Sequence, residues 1–256
     1  MIKSVSIIGA GNVAHNLARM FNSAGVMIDS IYSREMRNAS TLAALYNANP
    51  VDQVQEINDS SDLLLFAVRD DVLAKVASIL AGSTQLMAHT SGSVDMDVFG
   101  DIIRPAVFYP LQTFSKEKKY DGPPFPVCIE AKEQNDLAKL SALGASIVGA
   151  DNVYEISSPQ RKTLHVAAVF ACNFTNYFYG VAENILKDRN MSFDILKPLI
   201  VETVGKIDSR GPAATQTGPA ARGDHKIINN HLEYLSSNTD YQRLYKLVTD
   251  LIISNT

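Results

Sequence analysis

A short glycine-containing turn, set between an apolar stretch and an amphipathic one, constrains this chain more than any other feature. Residues 5–8 read Val-Ser-Ile-Ile, the turn is Gly9-Ala10-Gly11, and residues 12–24 carry a helical pattern. Gly9 allows a strand to turn tightly into a helix, and Gly11 has no Cβ that would keep a pyrophosphate away from the backbone. The free N–H groups and the dipole of the new helix attract phosphate. The sequence therefore predicts a dinucleotide site on a strand–turn–helix unit.

The end of the second predicted strand indicates which dinucleotide is bound. Sites that prefer NAD usually place Asp or Glu there to accept hydrogen bonds from the ribose. Here the strand ends in Tyr32-Ser33-Arg34, and Asp29 lies inside the strand. A hydroxyl and a guanidinium suit a 2′-phosphate, so we expect NADP, the alternative being that Arg34 is an ordinary surface arginine. The expected cofactor-binding residues are Gly9, Ala10, Gly11, Asn12, Val13, Ser33, Arg34, Val68 and Arg69.

Apolar runs of strand length alternate with helical patterns through the first part of the chain. The run at 62–68 is continuous, as expected for a parallel strand covered on both faces, and a short strand at 145–148 is expected to close this part. The order predicts an α/β fold, with a doubly wound parallel Rossmann sheet followed by a smaller all-α domain. We expect an NADP-binding domain at 1–154 and a helical substrate and dimerisation domain at 155–256.

Composition and charge exclude several classes of function. A formal net charge of −4 gives no reason to expect a nucleic-acid or membrane partner. Cys128 and Cys172 lie in apolar runs without metal-ligand spacing, so we expect two buried thiols and no metal site. Polar residues among positions 12–19 interrupt any signal-peptide core. These features predict a cytoplasmic protein.

Polar residues follow three predicted strands at the edge of the sheet where ligands bind in open parallel sheets. Val68-Arg69 follows one strand and should contact the cofactor, His89-Thr90-Ser91-Gly92 follows the next, and Tyr109 to Thr113 follows a third. His89 is the one member of these stretches with an ordinary pKa near neutrality. It is either a proton donor or a hydrogen-bonded structural residue. Ser91, Gly92 and Gln112 are the expected substrate-binding residues of these stretches.

A long helix after Ser158-Pro159 supplies a second set of polar side chains. The pattern predicts a helix from 158 to about 188 that is apolar almost all round between 164 and 182, and therefore buried on most sides. Lys162, His165, Asn173 and Asn176 share one arc of about 80° at 100° per residue. They form either a satisfied interhelical network or a wall that faces a substrate.

A rigid loop follows further along the chain. Thr217 to Asp224 contains two glycines and a proline and is long for a plain connector. Arg222 is available to bind an anion, and Asp224 can cap the next helix.

Four motifs together resemble a family of bacterial Rossmann-like proteins: Gly9 to Ala14, His89 to Gly92, Tyr109 to Phe114 and Thr217 to Asp224. The second domain of that family is of unknown function, and its members are often described as NADP oxidoreductases. More distantly, the layout resembles pyrroline-5-carboxylate reductase, deazaflavin-dependent NADP reductase and the 6-phosphogluconate dehydrogenase group, which pair a Rossmann domain with a helical dimerisation domain. Lys162-x-x-His165 is similar to the Lys-x-x-His of the last group, whose following asparagine is Val166 here.

Residues and resemblance together predict an NADP-dependent oxidoreductase. It would move hydride to or from a small anionic carbonyl, imine or hydroxy compound in a cleft between the domains. The expected catalytic residues are His89 or His165 as proton donor and Asn173 as an orienting residue. Ser91, Gly92, Gln112, Lys162, Asn176 and Arg222 are the expected substrate-binding residues. The alternative is a non-catalytic protein that senses NADP or a metabolite. The apolar helix and the dimeric relatives predict a homodimer through the helical domain.

Overall fold

The computed structural model describes residues 1–57, 60–117 and 119–255, so that Asn58, Asp59, Lys118 and Thr256 lie outside it. The chain forms two compact units, Met1–Val169 and a second that begins at Phe170. The first unit extends past residue 154 because the first helix after that position packs on the strands of the sheet. The predicted fold class is confirmed: a Rossmann-like sheet flanked by helices is followed by a helical unit.

The sheet has eight described strands in the order β3-β2-β1-β4-β5-β6-β7-β8. Neighbouring strands are parallel except β6 and β7, which pair antiparallel with Phe108 opposite Ile129. The wholly parallel sheet predicted from the alternating pattern is therefore wrong at this edge. The strand bounds are β1 Ser4–Ile8, β2 Met27–Tyr32, β3 Asn49–Val51, β4 Leu63–Phe66, β5 Leu86–His89, β6 Arg104–Pro110, β7 Val127–Ala131 and β8 Val153–Glu155.

The central strands are buried on both faces, as their continuous apolar runs predict. Every residue of β1, β4 and β5 is buried. On one face, Leu17 and Phe21 of the first helix join the core with Ile7, and on the other face Leu73 packs with Phe66. Each such side chain contributes about 1.5–3 kcal/mol on burial. The core therefore fixes the positions of the strand ends that carry the candidate site.

The helices are α1 Asn12–Ser23, α2 Met36–Ala43, α3 Asp70–Ser78, α4 Gln134–Val148, α5 Ser158–Ala168, α6 Thr175–Lys187, α7 Lys197–Thr215, α8 His225–Tyr234 and α9 Thr239–Asn255. The strand predicted at 145–148 is wrong, because α4 continues to Val148 and ends at Gly149, where φ is +84°. A Cβ at Gly144 would lie 2.9 Å from the side chain of Val153, so the missing side chain lets α4 approach β8 closely.

The long helix predicted from 158 to about 188 is interrupted. A π-helical turn over Val169–Phe174 separates α5 from α6. The sequence Ser158-Pro159 predicts an N-cap at Ser158, but the N-cap is Ser157, whose N–H donates to Gln160 Oε1 at 3.0 Å. The spacing of 100° per residue that placed Asn173 and Asn176 on the arc of His165 does not hold across this turn, since a π turn contains extra backbone. That part of the stripe prediction is wrong.

The prediction that this helix is buried on most sides is also wrong for the single chain. Phe170 is 65% exposed and Tyr177 is 59% exposed, and Cys172, predicted to be buried, is exposed, whereas Cys128 is buried as predicted. The exposure continues in α7, where none of the 19 described residues is buried. The second unit therefore presents a large unpartnered apolar surface.

The stretch 211–223 is rich in Gly, Pro and Ala and therefore predicts a loop, but the loop begins later than this composition indicates. Gly211, with φ at +73°, interrupts α7, and the helix then resumes through Thr215. Asp224 caps α8 as predicted, because its side chain accepts a hydrogen bond from the N–H of Ile227 at 3.1 Å. No helix among the described residues is both long and apolar enough to span a bilayer.

Candidate functional site

The glycine turn has the geometry that a dinucleotide requires. Gly9 has φ of +126°, and a Cβ there would lie 2.3 Å from the carbonyl oxygen of Ala67, so no other residue fits. A Cβ at Gly11 would have no described atom within 4 Å, which leaves the backbone open to a phosphate. The first turn of α1 has neither an acidic residue nor a side-chain cap. Its N–H groups and positive dipole end are therefore free to bind an anion.

A cavity of about 580 Å³ opens at this turn. It brings together seven of the nine predicted cofactor-binding residues, which are Gly9, Ala10, Gly11, Ser33, Arg34, Val68 and Arg69. Asn12 and Val13 do not line the cavity and instead begin α1. Its further lining residues include Asn38 of α2 and Lys75 of α3, which the sequence analysis did not single out. Asn38 lies four residues after Arg34, a spacing that could have indicated it.

The charges at the cavity suit a 2′-phosphate. Arg34 is exposed and has no ion pair among the described residues, and Ser33 lies beside it. Arg69 is less available, because its guanidinium binds both carboxylate oxygens of Asp71. Asp29 lies within β2, and burial raises its carboxyl pKa. No carboxylate therefore stands at the tip of β2, and the residues present fit NADP.

His89 is a buried structural residue in this structure. Its side chain is fully buried beside Phe99, with ring centroids 5.6 Å apart, and its Nδ1 accepts the N–H of Ser91 at 3.2 Å. Burial lowers the pKa of His89 to about 4, with a further contribution from the charge of Arg161 and an opposing one from the Asp95 backbone. The imidazole is thus neutral and shielded, which favours the structural alternative over a proton donor.

The hydroxyl of Ser91 is used within its own loop. Its Oγ accepts the N–H groups of Ser93 at 3.1 Å and Val94 at 3.0 Å. Ser93 in turn donates its hydroxyl proton to Asp70 at the start of α3. These bonds fix the loop after β5, in which Gly92 is buried, and they engage the hydroxyl of Ser91 inside that loop.

His165 of α5 lies against the strand-end loops of the first unit. Its Nδ1 is 3.2 Å from the hydroxyl oxygen of Tyr109 at the end of β6. A Cβ at Gly92 would lie 2.5 Å from His165 Nδ1 and 2.8 Å from Tyr109 Cζ, so only glycine fits between them. The structure thus joins three separate sequence motifs in one half-buried cluster.

Burial determines the protonation state of Tyr109. Burial is the largest cause of a rise in the phenol pKa to about 12, Cys128 contributes to the same rise, and the charge of Arg161 opposes it. The phenol therefore keeps its proton at neutral pH, and its O–H can donate a hydrogen bond to His165 Nδ1. Neutral His165 would then carry its own proton on Nε2. Tyr109 was not among the predicted site residues, although it begins the strand-end stretch 109–113.

A buried ion pair holds α5 in this position. Arg161 is fully buried and donates to Glu130 Oε2 at 2.7 Å and to Ser158 Oγ at 3.0 Å. Ser158 also accepts the N–H of Met96 at 3.1 Å. Because Arg161 and His165 are one helical turn apart, these bonds also orient His165.

The remaining predicted residues are distributed over both units. Lys162 is exposed and binds Asp95 Oδ2 at 3.1 Å, and Gln112 donates to Tyr120 at 3.0 Å, so both have partners inside the first unit. Asn173, Asn176 and Arg222 belong to the second unit, and all three are exposed. Within that unit, Thr217 to Ala220 line an apolar cavity of about 300 Å³, which Arg222 does not line.

Comparison with known proteins agrees with this geometry. Residues 4–89 match a family described as NADP oxidoreductase, coenzyme F420-dependent, and residues 125–252 match a domain of unknown function, DUF2520. A comparison with curated proteins finds no match.

Solved structures match over nearly the whole chain. A putative NADP oxidoreductase from Bacteroides fragilis is 39% identical, with 99% of this chain and 98% of that one covered and a TM-score of 0.91. A Thermotoga maritima protein is 19% identical, with 98% and 97% covered and a TM-score of 0.72. The 1-pyrroline-5-carboxylate reductase of Streptococcus pyogenes is 13% identical, with 98% of each chain covered and a TM-score of 0.64, and shares the fold. The chain therefore belongs to the family of NADP oxidoreductases whose second domain is DUF2520.

Proposed function

We propose that this protein uses NADP to transfer hydride to or from a small anionic carbonyl, imine or hydroxy compound. The observation that carries the proposal is the cavity at the Gly9-Ala10-Gly11 turn, which has Ser33 and Arg34 at its rim and no carboxylate at the tip of β2. The bound nicotinamide would supply or accept the hydride. The chain itself would bind the cofactor and handle the proton that accompanies reduction of C=O or C=N.

His165 is the better of the two predicted proton donors. It is half-buried, whereas His89 is fully buried with a pKa of about 4. Tyr109 would hold the ring through Nδ1 and keep the proton on Nε2, and the buried Arg161–Glu130 pair would keep α5 from shifting. We assign His89 and Ser91 to support of the loop that carries Gly92.

Two solved structures that share the fold bear on the substrate class. Among the structures that share the fold is a reductive aminase from Aspergillus terreus in complex with NADPH and ethyl levulinate, and another is a pyrroline carboxylate reductase from Plasmodium falciparum with NADP bound. An imine is therefore the first compound class to test. Gln112, Lys162, Asn173, Asn176 and Arg222 remain proposed substrate-side residues, with Arg222 as the ligand for an anionic group.

A homodimer through the helical unit accounts for its exposed apolar surface. Leu199 is 63% exposed, Val201 71% and Val204 55%, all on α7. An isolated helix of this length is marginal in water unless an apolar face is packed. A second copy of the chain would cover these faces reciprocally about a two-fold axis.

A screen of ketones, imines and hydroxy acids, followed by NADPH absorbance, tests the enzymatic proposal. We expect at least one class to be turned over, and His165→Gln to lower kcat by about 10²–10⁴-fold, because general acid catalysis contributes that much. NADPH affinity should be unchanged in this variant.

The chain offers a matched control for that experiment. His231 is also paired with a tyrosine, at 2.9 Å from Tyr245, but in the second unit. His231→Gln should leave kcat unchanged. Full activity of His165→Gln would contradict the proton-donor assignment. Compounds that bind with NADPH but never change its absorbance would instead favour the non-catalytic sensor.

A further inference from the structure

A second polar cavity lies in the first unit and shares no lining residue with the one at the glycine turn. Its volume is about 280 Å³. Asn16, Arg19 and Ser23 line it from α1, Lys119 and Tyr120 from the loop after β6, and Ser146 from the last part of α4. None of the predicted site residues lines it. Its lining contains two cationic side chains and no carboxylate among the described residues.

Arg19 is the central group of this cavity. Its Nη1 is buried and has no hydrogen-bond partner among the described residues. The guanidinium does interact with the hydroxyl of Tyr46, which is a neutral partner. No described carboxylate lies within ion-pair distance of Arg19. Arg19 is half-buried and lines the cavity, and an anion in that cavity would stabilise a cation that has no ion-pair partner among the described residues.

The surroundings of Arg19 are also positive. Besides burial, the charges of Lys116 and Arg19 lower the pKa of His15, which shows that both cations act on the same region. Glu117 acts in the opposite direction on His15. Its carboxylate accepts a hydrogen bond from the hydroxyl of Ser115 at 2.5 Å and does not line the cavity, whereas Arg19 and Lys119 do. The potential in this region therefore favours an anion.

We propose that this cavity is a second binding site, for the phosphate or carboxylate group of a small metabolite. Arg19 would contact the anion from the buried side and Lys119 from the exposed side. Asn16 would shape the site indirectly, because its amide already donates to Ser115 at 2.9 Å and to the carbonyl of Asn12 at 3.0 Å. The volume lies just below the range typical of drug-sized ligands, which suits a compound of few atoms beyond its anionic group.

Calorimetric titration with inorganic phosphate tests the site. The protein is first saturated with NADP, so that phosphate does not enter the cavity at the glycine turn. We expect the wild type to bind phosphate and Arg19→Met to bind it about tenfold to hundredfold more weakly, since a charge-assisted hydrogen bond is worth about 1.5–3 kcal/mol.

Two further variants keep this result interpretable. Lys119 is exposed, so Lys119→Met should fold normally and still weaken phosphate binding. Arg37→Met removes an equal charge from α2, which contributes no residue to this cavity, and should leave phosphate binding unchanged. Absence of phosphate binding by the wild type would overturn the proposal, as would equal binding by the wild type, Arg19→Met and Lys119→Met.

Discussion

Two histidines lie near the carboxyl end of the sheet, and burial gives them different access to a bound compound. His89 ends β5 inside the core, where Phe99 and the Ser91 N–H surround it. His165 projects from α5 onto Gly92 and the hydroxyl of Tyr109. A side chain that must deliver a proton needs access to the reacting atoms. Local packing therefore supports the proposal that His89 stabilises the loop after β5 and that His165 handles the proton.

The burial of His89 makes stability depend on pH in a defined direction. Its pKa is about 4 in the folded protein and 6.5 without burial. Between these values the unfolded chain binds more protons than the folded one, so stability is full above pH 6.5 and falls as pH decreases toward 4. The loss is on the order of 3 kcal/mol.

Denaturant unfolding of wild type and His89→Gln across this pH range measures the effect. The variant should be less stable at neutral pH but lose less stability on acidification. His231→Gln should behave as the wild type does, because His231 is exposed. An equal loss of stability on acidification in wild type and His89→Gln would contradict the lowered pKa of His89 in the folded protein.

At the scale of elements, sequence patterns predict the features that depend on interactions between residues close together in the chain. The Gly9 turn, the buried runs of β4 and β5, and the cap at Asp224 each depend on residues close in sequence, and all three were predicted. The antiparallel pairing of β7 with β6 depends on contacts between distant segments, which hydrophobic periodicity does not predict. Residues 145–148 are apolar enough for a strand, but packing of Gly144 on Val153 retains them in α4.

The π-helical turn is a second feature that no pattern in the sequence predicts. Its sequence, Val-Phe-Ala-Cys-Asn-Phe, fits an α-helix, and the turn alters the direction of every side chain after it. Candidate residues before it, such as His165, keep the predicted placement against the strand-end loops, whereas the angular placement of Asn173 and Asn176 fails. The missed residue Tyr109 became recognisable only through its contact with His165.

At the scale of the whole molecule, the two units differ in how completely a single chain buries their apolar residues. The first unit has a continuous core around the sheet, and the second leaves Phe170, Leu199 and Val201 exposed. An exposed apolar surface of this kind is what supports the proposed homodimer.

Light scattering after size exclusion checks this expectation. The wild type at micromolar concentration should have twice the single-chain mass of 27.9 kDa. Val201→Asp combined with Val204→Asp should shift it toward the single-chain mass, because charges would enter the apolar interface. Leu45→Asp is the control, since Leu45 is a 61% exposed apolar residue of the first unit. A wild type of single-chain mass at every concentration would contradict the dimer.

We propose that Ser33 and Arg34 make this family member specific for the 2′-phosphate of NADP, and calorimetric titration of NADPH and NADH tests this proposal most directly. The wild type should bind NADPH more tightly than NADH. Arg34→Asp should weaken NADPH binding about tenfold to hundredfold and change NADH binding little, since the lost contact involves the 2′-phosphate. Arg37→Asp alters the net charge equally three residues away and should preserve the preference. Equal loss of both cofactors in Arg34→Asp, or an unchanged NADPH affinity, would contradict the account.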